Sequence, residues 1–323
     1  MTELLYDTAI ERAKYLDSLS EPVGPLHGLP FSLKEHLHIK GYPCNAGFAA
    51  WIAKEPPTKN NTVYDILVSL GAIPLCRTTQ PQTLMHLSSN NMITGKCYNP
   101  YNRTLTSGGS SGGEGSLIAM KGSVLGLGTD IGGSVRGPSA NCGIYGLRET
   151  ASRVPCTGMN VAMKGAEAIL GIIGPMTRSV RDIELFFKNV IATEPWKRDT
   201  TVVACPWRKP TLPKKINVAF MWDDGVVVPH PPVTRALKEV KAALEKYPDL
   251  FGISDWKPLN HAKHWEIVAE LYFMDGGADD LKILEESGEP WDPLTEWILT
   301  GNKYKKDHTI TEAWAVSHLV VPR

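Results

Sequence analysis

TSGGSSGGEGSLIAMKGSVLGLGTDIGGSVRGPS, residues 106–139, holds two glycine-rich turns that each present serines. The first is Gly108-Gly109-Ser110-Ser111-Gly112-Gly113 and the second is Asp130-Ile131-Gly132-Gly133-Ser134. Glycine lacks a Cβ and tolerates positive φ, so successive N–H groups can point at one spot. A serine inside such a turn sets its hydroxyl beside a cluster of donors, the setting a nucleophile and an oxyanion hole need. The joining segment is too apolar for a linker: residues 113–121 read as a helix leaving the first turn, and 124–128 as a buried strand leading to the second. A flexible Gly/Ser linker would change composition after its glycines, and here Leu117-Ile118-Ala119-Met120 continues as core. A phosphate cradle needs Gly-Lys-Ser/Thr, which does not follow these glycines. Fragments of a dinucleotide spacing at Gly126 and Gly128 lack the helix and acidic residue that complete it.

Working outward, Gly28-Leu29-Pro30-Phe31-Ser32-Leu33-Lys34-Glu35 places a lysine after an apolar, strand-like run, and Asn99-Pro100 precedes the first serine turn. Gly128-Thr129-Asp130-Ile131-Gly132-Gly133-Ser134-Val135-Arg136 and Cys142-Gly143-Ile144-Tyr145-Gly146-Leu147-Arg148 complete the pattern. In these segments, in the order Lys, Ser, Ser, and in gaps of 76 and 24 residues, the chain resembles the amidase signature hydrolases. The run Gly-Pro-Leu-His-Gly-Leu-Pro before Lys34 is most similar to fungal general amidases and acetamidases and to fatty-acid amide hydrolases. It is less similar to the tRNA amidotransferase A subunit.

That resemblance implies a Ser-Ser-Lys triad: Ser134 the nucleophile, Lys34 the base, and Ser110 the proton relay between them. It implies a cis peptide bond before Ser110, with Ser107 and Ser111 as local decoys. Backbone N–H groups of Ile131, Gly132, Gly133 and Ser134 are the expected oxyanion donors, and Leu84, Met85, His86 and Met92 the expected acyl-side lining. A lysine works as a base only when neutral, so burial must lower it from its reference of about 10.4. Asp130 and Arg136 read as a structural pair holding the turn. A histidine triad competes, but His27, His36 and His38 show no matched acid and G-x-S-x-G is absent at Ser134, so these rings read as packing around the Lys34 strand. His261 and His264 form H-x-x-H without a third ligand or H-E-x-x-H, and no metal or other cofactor is expected.

Lys plus Arg and Asp plus Glu number 34 each, which argues against nucleic acid or an anionic membrane as the main partner. The expected partner is a small-molecule amide, and a homodimer is compatible with the sequence. Six scattered cysteines without a CxxC pair fit reduced thiols and a cytoplasmic location. Apolar periodicity predicts helices at 7–19 with Asp7 or Thr8 as cap, 61–70 capped by Asn61, 179–192 and 232–246, and strands at 72–76 and 216–221. This alternation predicts an α/β fold with a mixed β-sheet covered by helices on both faces, in one domain over 1–323. The Pro/Trp clusters at 205–207 and 229–232 read as loops within it. Members of the resembled family are longer, so the chain reads as lacking N-terminal helices and part of the C-terminal region. An impaired homologue with a binding or vestigial role is the alternative to an active amide hydrolase.

Overall fold

The computed structural model of the chain describes residues 1–318. Its first elements are β1 (Glu3–Leu4), α1 (Tyr6–Asp17), β2 (Pro30–Lys34), α2 (Thr62–Ser69) and β3 (Ile73–Thr78). Then come α3 (Gly112–Ala119), β4 (Leu125–Asp130), α4 (Arg136–Cys142), β5 (Tyr145–Gly146), β6 (Ile172–Thr177) and α5 (Val180–Ala192). Six strands make one mixed sheet in the order β1-β3-β2-β4-β6-β5. The central β3, β2 and β4 run parallel, while β1, β6 and β5 join antiparallel. Parallel neighbours need a crossover, and α2 and α3 lie in the connections from β2 to β3 and from β3 to β4.

Side chains alternate across a strand, and this period decides which face carries chemistry. Phe31 and Leu33 of β2, Leu125 and Leu127 of β4 and Ile173 of β6 join one buried cluster with Ile66 and Leu67 of α2 and Phe186 and Val190 of α5. The intervening residues Ser32, Lys34, Gly126 and Gly128 face the other way, toward α3 and the serine turns. There a Cβ at Gly126 would lie 2.2 Å from Glu114 Oε2, so the missing side chain lets α3 press onto the sheet. The sheet is therefore covered on both faces, as the sequence alternation predicts.

Local signals act at several helix ends. Asn61 accepts from the N–H groups of Val63 and Tyr64 at the start of α2, and Ser179 accepts from Asp182 at the start of α5. At α1 the cap position is Leu5, without a side-chain bond, so neither Asp7 nor Thr8 is the cap. Asp7 instead sits in the first turn, where a negative charge complements the helix dipole. The helix expected at 113–121 spans Gly112–Ala119, ending before Lys121 at φ 63° and Gly122.

The remaining elements are β7 (Ile216–Phe220), α6 (Pro231–Leu244), β8 (Phe251–Asp255), α7 (His261–Leu271), α8 (Ala278–Ser287), α9 (Pro293–Thr300) and α10 (Ile310–His318). The described chain groups into two compact units. The larger holds residues 1–207 and 277–303, with the six-stranded sheet, α8 and α9. In the second unit β7 and β8 pair in parallel with α6 between them in sequence, and His308 pairs with Glu270 at 2.8 Å. The cluster Cys205-Pro206-Trp207 is irregular backbone, as read, and the two units part at its end.

Candidate active site

Lys34 ends β2 on the α3 face of the sheet and is fully buried. Its Nζ donates to Ser110 Oγ at 2.5 Å and to Thr129 Oγ1 at 2.9 Å. Burial lowers its pKa to about 7, against the opposing pull of the Asp130 and Glu114 carboxylates. A neutral amine is thus accessible near neutral pH. Glu114 could quench that effect as a full anion close by, but burial lifts its own pKa to about 7 even though Ser32 and Thr78 both donate to it at 2.6 Å.

The first turn selects among its serines. Ser107 Oγ donates to the Cys97 carbonyl, and Ser111 Oγ bonds the Thr129 backbone on both sides, donating to its carbonyl and accepting from its N–H. Ser110 alone of the three turns toward Lys34, and the peptide bond before it is cis, as the resemblance implies. Ser111 N–H also donates to the Ser134 carbonyl at 3.0 Å, which fastens the two turns together.

The second turn is built around Asp130. Its carboxylate accepts from the N–H groups of Gly133 at 2.7 Å and Val135 at 3.1 Å, and from Arg136 Nε and Nη2 at 3.0 Å each. Burial alone would raise its pKa, but the bonds from Arg136, Gly133 and Val135 outweigh it and hold the carboxyl below its usual range. The structural pairing of Asp130 with Arg136 is therefore present, and Arg148 adds a second guanidinium at 3.6 Å. Of the four expected oxyanion donors, the Gly133 N–H donates to Asp130 in this structure. The N–H groups of Ile131, Gly132 and Ser134 donate to no group among the described residues. Gly133 sits at φ 133°, a conformation that favours glycine.

Ser110, Ser134, Thr129 and Ile131 line a cavity of about 450 Å³ within the larger unit. Leu84 and Met85 form part of its wall, whereas His86 and Met92 are not among its lining residues. His86 instead bonds Thr295 of α9, and Met92 is solvent-exposed. Thr83 and Leu84, both lining the cavity, take left-handed backbone at φ 62° and 65°, an unusual pair for non-glycine residues. Gln82 anchors the segment by donating to Glu289 and accepting from the Asp292 N–H. A second stretch of wall comes from the chain between β5 and β6, with Val154, Met159, Met163 and Ile169.

That second wall, Thr129 and His36 escape the sequence reading. The wall has no regular secondary structure and hence no period to read. Thr129 stands inside the quoted Gly128–Arg136 run, where nothing in the residue pattern marks it as a partner of Lys34. His36, expected to pack around the Lys34 strand, has its Nε2 3.0 Å from Thr129 Oγ1 and its Nδ1 2.9 Å from the Asn160 carbonyl. The chain turns at Glu35 and His36, where the Leu37 N–H donates to the Lys34 carbonyl at 3.0 Å, so strand alternation from Lys34 does not extend to this ring.

The family model described as Amidase matches residues 1–315. The chain is 44% identical over 321 residues to a Schizosaccharomyces pombe protein that carries the name amidase, covering 98% of this chain and 60% of that one. It is 40% identical over 320 residues to the acetamidase of Aspergillus oryzae, covering 97% of this chain and 58% of that one. The solved structure of a fatty acid amide hydrolase superposes with a TM-score of 0.93 at 38% identity, covering 98% of this chain and 56% of that one. The chain thus spans no more than 60% of the length of these relatives.

Proposed function

The chain belongs to the Amidase family, and we propose that it hydrolyses carboxylic acid amides through an acyl-enzyme on Ser134. The observation that carries this reading is the contact of a buried, neutralisable Lys34 with Ser110, in a cavity that Ser134 also lines. Lys34 takes the proton of Ser110 as Ser110 takes that of Ser134, and the Ser134 oxygen adds to the amide carbonyl. The oxyanion forms beside the N–H groups of Ile131, Gly132 and Ser134, where one well-placed donor is typically worth about 10²–10³ in turnover. Collapse of the tetrahedral centre returns the proton to the leaving nitrogen and releases ammonia or an amine. Water then cleaves the ester by the reverse proton path.

The substrate reading rests on the walls. The lining residues Leu84, Met85, Val154, Met159 and Ile169 suit an aliphatic or aryl acyl group, because methionine adapts to irregular apolar shapes. Ammonia release from a series running from acetamide to octanamide tests both parts. We expect kcat/KM to climb with chain length, each methylene adding at most about 1–3 kcal/mol. A flat series would sink the apolar preference, and no Ser134-dependent release from any amide would sink the hydrolase reading.

A further inference from the structure

We infer that His36 is a positioning residue that, through Thr129, aims the lone pair of Lys34 at Ser110. The inference rests on the amidase reading above and adds to it a group outside the Ser-Ser-Lys set.

Asn160, His36, Thr129, Lys34 and Ser110 form a continuous hydrogen-bonded chain. His36 Nδ1 lies 2.9 Å from the Asn160 carbonyl oxygen, which can only accept, so Nδ1 carries the ring proton. Burial and the neighbouring Lys34 hold the imidazole neutral, its pKa well below the usual value. Nε2 is then a lone pair, 3.0 Å from Thr129 Oγ1, and the only proton that can fill that contact is the threonine hydroxyl's. With its proton so engaged, Thr129 Oγ1 offers Lys34 Nζ an acceptor at 2.9 Å and cannot donate to it.

That polarity matters for a base. A neutral lysine has two N–H bonds and one lone pair, and Lys34 Nζ has two hydroxyl neighbours, Ser110 and Thr129. If the Thr129 proton pointed at Nζ, it would occupy the lone pair that must receive the proton of Ser110. His36 removes that competitor and leaves the lone pair facing the 2.5 Å contact with Ser110. When Lys34 becomes an ammonium, the same Thr129 lone pair still accepts from it, so no hydroxyl has to rotate during proton transfer. This is the logic of a base oriented by a third group. Asn160 also ties the ring's surroundings, donating to the Cys44 carbonyl through its side chain and meeting His38 Nε2 at 3.0 Å.

The test is the rate at which a fluorophosphonate acylates Ser134, separated into maximal rate and probe affinity, in five proteins: the native chain, His36→Leu, His36→Gln, Ser110→Ala and the double variant Ser110→Ala/His36→Leu. His36→Leu removes the acceptor and should slow the maximal rate about ten- to hundredfold, part of the 10²–10⁴ that a general base supplies, with probe affinity unchanged. His36→Gln restores an acceptor oxygen and should recover most of the rate. In a Ser110→Ala background, His36→Leu should add no further loss, since the lone pair then has no relay to serve. A wild-type rate in folded His36→Leu, or an undiminished effect of His36→Leu without Ser110, overturns the inference. Nitrogen NMR of the histidine-labelled native chain needs no variant to fold. A proton on Nδ1 and a bare Nε2 support the inference, and the opposite tautomer overturns it. A native chain that labels nowhere at Ser134 takes down the amidase reading itself, an outcome distinct from a silent His36 variant.

Discussion

Asp130→Asn puts the architecture of the nucleophile turn to a quantitative test. The native carboxylate has no solvent-exposed surface and uses both oxygens: Oδ1 accepts from Gly133 N–H and Arg136 Nη2, and Oδ2 from Val135 N–H, Arg136 N–H and Arg136 Nε. An asparagine supplies one oxygen, so its NH2 must face one of these donor sets. If the oxygen stays with Gly133, the Val135 and Arg136 amides lose their acceptor. An orphaned buried N–H costs about 1–3 kcal/mol, and the Arg136 guanidinium adds less because its side chain is 53% exposed. The sum is about 3–5 kcal/mol, the range expected when one partner of a buried ion pair is removed. For a compact unit of this size each kcal/mol lowers Tm by about 2–4 °C, so Asp130→Asn should melt roughly 10 °C below the native chain by calorimetry. A second effect has a definite sign. Asp130 raises the pKa of Lys34 in the native state, so its loss should move the acid limb of activity to lower pH. A Tm within about 2 °C of native, with an unmoved acid limb, would refute the claim that this carboxylate organises the turn.

Four further outcomes follow from single residues. With Lys34 near pKa 7 and active only when neutral, kcat/KM should rise with pH to a plateau above about 7 and fall about tenfold per unit below it; a profile flat into mild acid contradicts this. The same group binds fewer protons folded than unfolded between about 7 and 10.5, so its contribution to stability grows as pH rises through that window, and Lys34→Met should gain most in urea midpoint at the low end. Gly126→Ala drives a methyl to 2.2 Å from Glu114 Oε2 and should cost about 1–3 kcal/mol in denaturant unfolding, whereas a neutral result would mean that α3 can shift freely. Asn61→Ala removes the cap of α2 and two donations to the Thr157 and Gly158 carbonyls, so a loss of about 1–2 kcal/mol is expected in the same assay.

What could be read from the residues follows from how local each signal is. The serine turns, the Lys34 strand and the helices capped by Asn61 and Ser179 declare themselves through glycine, period and cap chemistry within a few positions. β6 and β8 do not, because Ile172–Thr177 is broken by Gly174 and Pro175 and Phe251–Asp255 by Gly252. Their pairing with β4 and β7 is long-range and leaves no local period. In the site, the choice of Ser110 over Ser111 rests on the resemblance, and its structural reason, Ser111 bonding the Thr129 backbone, is a contact across 18 residues. The Gly133 amide is similarly claimed by Asp130, which a motif with four consecutive N–H groups cannot reveal.

The central claim, that Ser134 is the nucleophile, meets its most direct test in fluorophosphonate labelling followed by peptide mapping. Trypsin should release residues 122–136, which contain Ser123 and Ser134, and fragmentation separates the two serines. The account predicts one phosphonylated residue, Ser134, and loss of labelling in Ser134→Ala. A label on Ser110 or Ser123, or labelling unchanged in Ser134→Ala, would contradict it.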